Sequence, residues 1–219
     1  MSEQKPETEA GRLVGALAAL RSADVLTQNE GVAAAIEIGA AAVPRLLALL
    51  KESGVNRAQV MYALAQIGDR RAESAFAEGL GDDDERVRAY AAQGLARMGH
   101  PRALTACLQT LNDAADQLHL DWTPSVEALS EMGLRAAPAL LGLLTTEDEM
   151  TRLHCQRALQ GVLARRYGFR PGHGYPTPEA AEQACAAWRD FGNYDYAADA
   201  ATRAGAAARL REWFEAARK

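Results

Sequence analysis

Apolar residues recur at intervals of three and four along most of the chain, the spacing that places them on one face of an α-helix. The stretch 82–113 shows this most clearly. Its apolar positions are Val87, Ala91, Leu95 and Met98 in the first half and Ala103, Cys107, Leu108 and Leu111 in the second. Gly99 is expected to end the first helix and Pro101 to open the next. The stretch therefore predicts two short helices hinged at Gly99.

The pattern of this helical pair repeats along the chain. Gly39, Gly68, Gly99 and Gly133 follow one another at intervals of 29, 31 and 34 residues. The segment AAAVPRLLALL after Gly39 matches LRAAPALLGLL after Gly133, with a proline and four leucines in register. Short helical pairs cannot bury their apolar faces alone, so a repeated pair predicts that successive pairs stack on one another.

These residues resemble the short HEAT-like repeat of the phycobilin-lyase type, which also occurs in many bacterial scaffold proteins. The resemblance covers roughly residues 24–165 and rests on Asp84, Val87, Arg88, Ala91, Ala92, Leu95, Met98, Gly99, Ala103, Leu108 and Leu111. It implies an arginine at one register of each first helix, often bridging to an acidic residue in an adjacent turn. Arg57, Arg88 and Arg152 are placed at that register, and Trp122 stands there in the fourth pair.

The expected fold is all-α, a right-handed α-solenoid (α-α superhelix) of four to five HEAT-like helical pairs with a C-terminal helical cap. Residues 1–23 are expected to form an N-terminal tail and capping helix, with residues 1–9 fraying. Residues 24–166 are assigned to the solenoid. Residues 167–219 are assigned to a loop, rich in glycine and proline, and a two-helix cap.

The cap is predicted to have two apolar faces. One comprises Ala181, Cys185, Trp188 and Phe191, and the other Ala206, Leu210, Trp213 and Phe214. A binding cage or an interface is an alternative for these aromatic residues. The preferred interpretation is that they belong to the core, because burial of an aromatic ring contributes strongly to stability.

The composition and charge disfavour some classes of function but do not identify one. The net charge is −5, but residues 1–150 hold 13 Lys and Arg against 22 Asp and Glu, whereas residues 151–219 hold 11 against 7. An acidic body is poorly suited to a phosphate backbone, so nucleic-acid binding is disfavoured. The basic C-terminal part is suited to an acidic partner or to packing against the acidic body. The oligomeric state does not follow from the sequence.

The cellular location is predicted to be cytoplasmic. Cys107, Cys155 and Cys185 are widely spaced and form no disulfide framework, which favours a reducing compartment. The start MSEQKPETEA is acidic, unlike a secretion signal. The apolar stretch from Leu13 to Leu20 is too short to span a bilayer, so no membrane association is expected.

Candidate catalytic chemistry is weak throughout. The histidines His100, His119, His154 and His173 have neither metal-ligand spacing nor adjacent glutamates. The acidic run 82–85 is explained by helix capping, since it lacks the alternating ligands of a calcium loop. No phosphate-binding loop or nucleophile elbow occurs. The sequence therefore predicts no catalytic residue, metal or cofactor, and it favours a non-catalytic protein while leaving enzymatic activity open.

The resemblance implies that the second helix of each pair lines the concave side of the stack. The candidate partner-binding residues are Arg45, Ser74, Glu78, Thr105, Gln109, Asn112 and Trp122. The expected function is a non-catalytic scaffold or adaptor that binds a peptide or protein through this face. Two alternatives stay open: a nucleic-acid-binding or DNA-repair-type HEAT protein, and a lyase-like accessory protein.

Overall fold

The computed structural model describes residues 8–217, and this part of the chain is all-α. Its helices are α1 Glu9–Leu20, α2 Val25–Ile38, α3 Val43–Leu49, α4 Arg57–Ile67, α5 Glu73–Gly79, α6 Glu85–Arg97, α7 Ala103–Gln109, α8 Pro124–Met132, α9 Ala137–Leu143, α10 Glu149–Arg166, α11 Pro178–Asp190 and α12 Ala200–Ala217. The predicted fold class, an α-solenoid of successive helical pairs, is confirmed. Of the tail predicted to fray, residues 1–7 lie outside the described residues.

The chain forms two compact units, Met1–Ala106 and Cys107–Lys219. In the first unit, the first helices of successive pairs lie side by side, α2 against α4 and α4 against α6, while α1 packs on α2. The second helices α3 and α5 pack against α4 and α6 respectively. The first unit therefore has two layers, with the first helices forming the continuous one.

In the second unit, α8 and α9 pack against the long helix α10. The C-terminal helices belong to this unit as well, because α11 packs on α10 and α12 packs on α9. Tyr194, between α11 and α12, is 1% exposed and donates a hydrogen bond of 2.5 Å to the carbonyl of Leu144. Burial raises the pKa of Tyr194 to about 12. Of the aromatic residues predicted to belong to the core, Trp188, Phe191 and Phe214 are buried, whereas Trp213 is half-buried.

Capping residues and hinge glycines define the helix ends. Asp24, Asn56, Asp84 and Asp148 each accept a hydrogen bond from a backbone N–H in the first turn of the helix that follows. The four hinge glycines Gly39, Gly68, Gly99 and Gly133 all have φ between 62° and 68°. The positive φ that glycine accepts, predicted for Gly99, is therefore present at all four hinges.

The two segments with matching sequences also have matching backbones. Gly39 has φ 68° and ψ −135°, and Gly133 has φ 62° and ψ −138°. Each glycine opens a short 3-10 turn, after which α3 or α9 begins with proline in its first turn. A residue with a Cβ atom is strained in this region of φ and ψ. The turn therefore requires glycine at both positions.

Three details of the sequence prediction are wrong. Helix α7 begins at Ala103 rather than Pro101, because residues 100–103 first form a turn closed by a bond from the Ala103 N–H to the His100 carbonyl. Arg57 is the first residue of α4, whereas Arg88 and Arg152 are the fourth residues of α6 and α10. Counted from the helix starts the three arginines therefore do not share one register, although Arg57 and Arg88 each lie eleven residues before a hinge glycine.

The third error concerns α11. Cys185 is exposed, and the buried residues of this helix are Ala184, Ala187 and Trp188. The apolar face is rotated by about one residue from the predicted one, because the helix packs through small alanines that allow close approach to its neighbour.

Arg88 and Arg152 make the same contact with the turn before their helices. The guanidinium of Arg88 donates to the carbonyls of Asp82 and Asp83 at 2.8 and 3.1 Å. That of Arg152 donates to the carbonyls of Thr146 and Glu147 at 2.9 and 2.8 Å. Arg57 instead pairs with the carboxylate of Asp82 at 2.5 Å, the bridge to an adjacent turn that the resemblance implied.

Candidate functional site

Four of the predicted partner-binding residues lie in the first unit. Arg45, Ser74, Glu78 and Thr105 are all exposed, on α3, α5, α5 and α7. Their side chains form no hydrogen bond or ion pair with any residue between 8 and 217. We call these four side chains the second-helix face. They are free to meet a partner.

The other three predicted residues lie in the second unit. Gln109 is exposed at the end of α7. Asn112 is also exposed, but its amide nitrogen donates to Asp148 and Thr151 at 3.1 and 3.0 Å. Asn112 is therefore tied to the start of α10. It is less available to a partner than the residues of the second-helix face.

Trp122 does not occupy a helical position. It directly precedes Thr123, the N-cap of α8, so the position eleven residues before the hinge glycine falls outside the helix in this pair. The reason is that α8 is short, with only nine residues from Pro124 to Met132. Trp122 is half-buried, and its ring lies 5.4 Å from the guanidinium carbon of Arg157.

His154 connects the loop before Trp122 to α10. The ring is fully buried, with Nδ1 at 2.7 Å from Oδ1 of Asn112 and Nε2 at 2.8 Å from the carbonyl oxygen of Leu120. Burial lowers the pKa of His154, while the Leu120 carbonyl and the carboxylates of Asp121 and Asp148 partly oppose that shift. Desolvation is the largest cause of the lowered pKa.

We expect acid to destabilise the second unit through His154. Its pKa is lower in the folded than in the unfolded chain, so the stabilisation is complete above the unfolded pKa of about 6.5 and declines below it. The free energy of unfolding should fall by at most about 1.4 kcal/mol per pH unit as the pH drops below about 6.5. His154→Gln should flatten this dependence, measured by urea unfolding with tryptophan fluorescence.

His119→Gln is the matched control, because it removes an exposed imidazole from the same unit. An NMR titration of the imidazole signals gives the folded pKa directly. A titration midpoint of His154 at or above the unfolded value would contradict the expectation.

A pocket of about 610 Å³ lies within the second unit, beside α10. The residues that define it here are Trp122, Arg157, Arg165, Tyr175, Trp188 and Arg189. We call it the arginine–aromatic pocket. Its volume falls within the range of about 300–1,000 Å³ that is usual for small-molecule and anchor sites.

Helical spacing explains how these side chains come together. Arg157 and Arg165 lie about two turns apart on α10, with Gly161 between them on the same side. Trp188 and Arg189 lie one turn beyond Ala184 and Cys185 on α11, and all four line the pocket. The loop 167–177 supplies the remaining wall, where the rings of Phe169 and Tyr175 meet edge to face at 5.2 Å.

The pocket lining is cationic. It contains three arginines and, among residues 8–217, no aspartate or glutamate. Arg157 pairs with Asp121 at 3.2 Å, and Arg165 with Glu131 at 3.4 Å, and both carboxylates lie outside the lining. Arg189 is exposed and forms no ion pair within the described chain. Such partly exposed pairs contribute roughly 0–1 kcal/mol each, so a ligand carboxylate can compete for the guanidinium groups.

The sequence prediction included Trp122, offered Trp188 only under the alternative of a binding cage, and missed the rest of this pocket. The signal was present as Arg157, Gly161 and Arg165 at helical spacing within the basic part of the chain. The sequence did not show which residues face this side of α10. The loop 167–177 has no periodic pattern from which the positions of Phe169 and Tyr175 could be predicted.

The remaining candidate groups are structural or dispersed. Cys107 and Cys155 are fully buried, and burial raises the pKa of each thiol to about 12. Over residues 8–217, no three His, Cys, Asp or Glu side chains converge in a way that could hold a metal ion. None of the helices in the described chain combines the length and apolarity needed to cross a bilayer.

The comparison with protein families supports the repeat assignment. Residues 43–121 match the HEAT repeats family, which confirms a HEAT-like repeat in that part of the chain. The crystal structure of an engineered protein, a structural genomics consortium target, is similar to this chain at 20% sequence identity and a TM-score of 0.41. The similarity covers 93% of this chain and 96% of the engineered one. No curated protein sequence matches.

Proposed function

We propose that this protein is a non-catalytic scaffold or adaptor that binds a peptide or protein partner through the second helices of its HEAT-like pairs. The family match to HEAT repeats supports this proposal, because stacked helical repeats commonly present extended surfaces for protein binding. The mechanism is presentation of a preformed surface, so little conformational entropy is lost on binding.

The observation that carries the proposal is the second-helix face. Arg45, Ser74, Glu78 and Thr105 recur on successive second helices, all exposed and all without an intramolecular polar partner in residues 8–217. The face contains one positive and one negative side chain among short polar ones. A helix or an extended peptide could approach the backbone of α3 and α5 closely at such a surface.

The proposal is tested by a charge-swap variant of this face. We expect Arg45→Glu combined with Glu78→Lys to lose partners that the wild-type chain captures, because attractive contacts become repulsive while the net charge stays unchanged. The measurement is quantitative affinity capture from native lysate, followed by binding of the recovered partner to the purified chain.

The matched control makes the same exchange on the first helices. Glu30 on α2 and Arg97 on α6 are exposed, and Glu30→Lys with Arg97→Glu also preserves the net charge. This control should capture the same partners as the wild type. Equal capture by both variants would refute the assignment of the second-helix face, and turnover of a small molecule by the purified chain would refute a purely non-catalytic function.

A further inference from the structure

We propose that the arginine–aromatic pocket of the second unit is a binding site for an acidic peptide segment, in which an aromatic side chain enters the pocket and flanking carboxylates pair with Arg165 and Arg189. The inference rests on the proposed function in one respect, that the ligand is a protein partner. The site is otherwise independent, since no residue of the second-helix face lines the pocket.

Charge determines the sign of the ligand. Arg157, Arg165 and Arg189 converge on one cavity that has no acidic residue in its lining. Like charges gathered in a cleft raise the local concentration of counter-charged ligands. A guanidinium group presents a planar fork of donors that matches a carboxylate in two parallel hydrogen bonds. The lining therefore selects an anion.

The individual arginines differ in availability. The guanidinium of Arg157 is already engaged by the Trp122 ring and by Asp121. Arg165 contacts Glu131 only at 3.4 Å, and Arg189 forms no ion pair within the described residues. Arg165 and Arg189 are therefore the two groups that a ligand carboxylate would bind, while Arg157 holds Trp122 in place.

Aromatic residues determine the apolar part of the ligand. Trp122, Phe169, Tyr175 and Trp188 supply rings from three different segments of the unit. Aromatic pairs contribute about 0.5–1.5 kcal/mol beyond the burial of their area, which favours an aromatic over an aliphatic anchor. A volume of about 610 Å³ accommodates one such side chain with its neighbours but not a whole helix.

A peptide fits these features better than a nucleic acid. A phosphate backbone is bound by cations spread along a stripe, whereas here the three arginines are confined to a single cavity. The chain carries a net charge of −5, with 22 acidic against 13 basic residues in positions 1–150. The acidic side chains would repel a long polyanion. A short acidic segment that reaches only the pocket avoids most of this repulsion.

The test uses the peptide acetyl-Glu-Glu-Phe-Glu-Glu-amide with the full chain. We expect it to shift the indole N–H signals of Trp122 and Trp188 in a saturable way, leaving that of Trp213, which does not line the pocket, largely unchanged. Arg165→Ala and Arg189→Ala should each weaken the affinity by about tenfold, because each removes a charge-assisted pair. Added salt should weaken binding to the wild type.

Matched controls separate pocket charge from general charge. Arg211→Ala removes an exposed arginine on α12 that does not line the pocket, and it should leave the affinity unchanged. The peptide with lysines in place of glutamates should not bind, and the peptide with alanine in place of phenylalanine should bind weakly. Circular dichroism shows whether each variant keeps its helices.

Several outcomes would overturn the inference. One is equal binding of the lysine peptide, and another is full affinity in both Arg165→Ala and Arg189→Ala. Phenylacetate binding as tightly as the peptide would indicate a small-molecule site, and single-stranded RNA shifting the same indole signals more strongly would indicate a nucleic-acid site.

The pocket and the second-helix face can fail separately. If the peptide does not bind while the charge-swap variant loses its partners, the pocket inference is wrong and the proposed function stands. If the peptide binds while the charge swap has no effect, the assignment of the second-helix face is wrong and the pocket inference stands.

Discussion

Phe76→Ala is expected to lower the free energy of unfolding by about 3–5 kcal/mol, because it empties a fully buried ring site in the first unit. The far end of the Phe76 ring, on α5, meets α6 at Gly94, where an added Cβ would come within 2.4 to 2.7 Å of three ring atoms. Gly94 has no side chain that could move into the cavity. Urea unfolding followed by far-UV circular dichroism measures the loss.

Gly94→Ala tests the same contact from the other helix. Alanine favours a helix over glycine by about 1 kcal/mol, yet here the methyl group would collide with a buried ring, so we expect a net loss of about 1–3 kcal/mol. Combining Gly94→Ala with Phe76→Leu should cost less than the sum of the two single changes, because leucine vacates part of the ring's space.

Gly15→Ala is the matched control for the glycine substitution. Gly15 lies within α1, and a Cβ built on it meets no atom within 4 Å. The same change should therefore leave the stability unchanged or raise it by up to about 1 kcal/mol. A gain in stability from Gly94→Ala would show that Phe76 does not pack against Gly94.

Arg152→Ala is expected to lower the free energy of unfolding by about 3 kcal/mol. Arg152 is 6% exposed, and its guanidinium donates to the carbonyls of Thr146, Glu147 and Tyr196 at 2.9, 2.8 and 2.9 Å. Without the arginine these carbonyls lose a charged donor, and a lost bond of this kind costs about 1.5–3 kcal/mol. Urea unfolding followed by tryptophan fluorescence measures the effect, since Trp122, Trp188 and Trp213 all lie in the second unit.

Hydrogen exchange distinguishes this contact from general destabilisation. Because Arg152 links α10 to Tyr196, its loss should speed amide exchange in the segment 193–199 more than in α8. Arg152→Lys should recover only part of the stability, since one ammonium cannot reproduce the planar set of donors.

Arg88→Ala is the matched comparison in the first unit. Arg88 makes the corresponding two bonds to the turn before α6, but it is only half-buried, so water can replace part of what is lost. We expect a smaller loss than for Arg152→Ala. Equal losses at the two positions would contradict the importance of burial and of the contact with Tyr196.

The sequence predicted the helical pairs well because their signals are local. Caps such as Asp84 and hinge glycines such as Gly99 act within a few residues, and the structure places each at the expected helix end. The same locality explains the errors. The shift of Arg57 and the position of Trp122 depend on where α4 and α8 begin relative to their hinges, and helix starts vary by several residues.

The candidate site was predicted only in part. The exposure of Arg45, Ser74, Glu78 and Thr105 followed from their position opposite the apolar face of a short helix. The engagement of Asn112 by the start of α10 did not, because that contact joins residues more than thirty positions apart. Pairings at such distances leave no periodic trace in a single sequence.

The sequence by itself therefore determined the repeated helical hairpin, its glycine hinges and the exposed side of each second helix, since periodicity and capping are properties of short segments. The tertiary structure alone decided that the C-terminal helices join the second unit, and that three arginines and four aromatic rings surround one pocket there. The physical reason is that such a pocket is formed by side chains from separate segments, whose approach is set by how the helices pack.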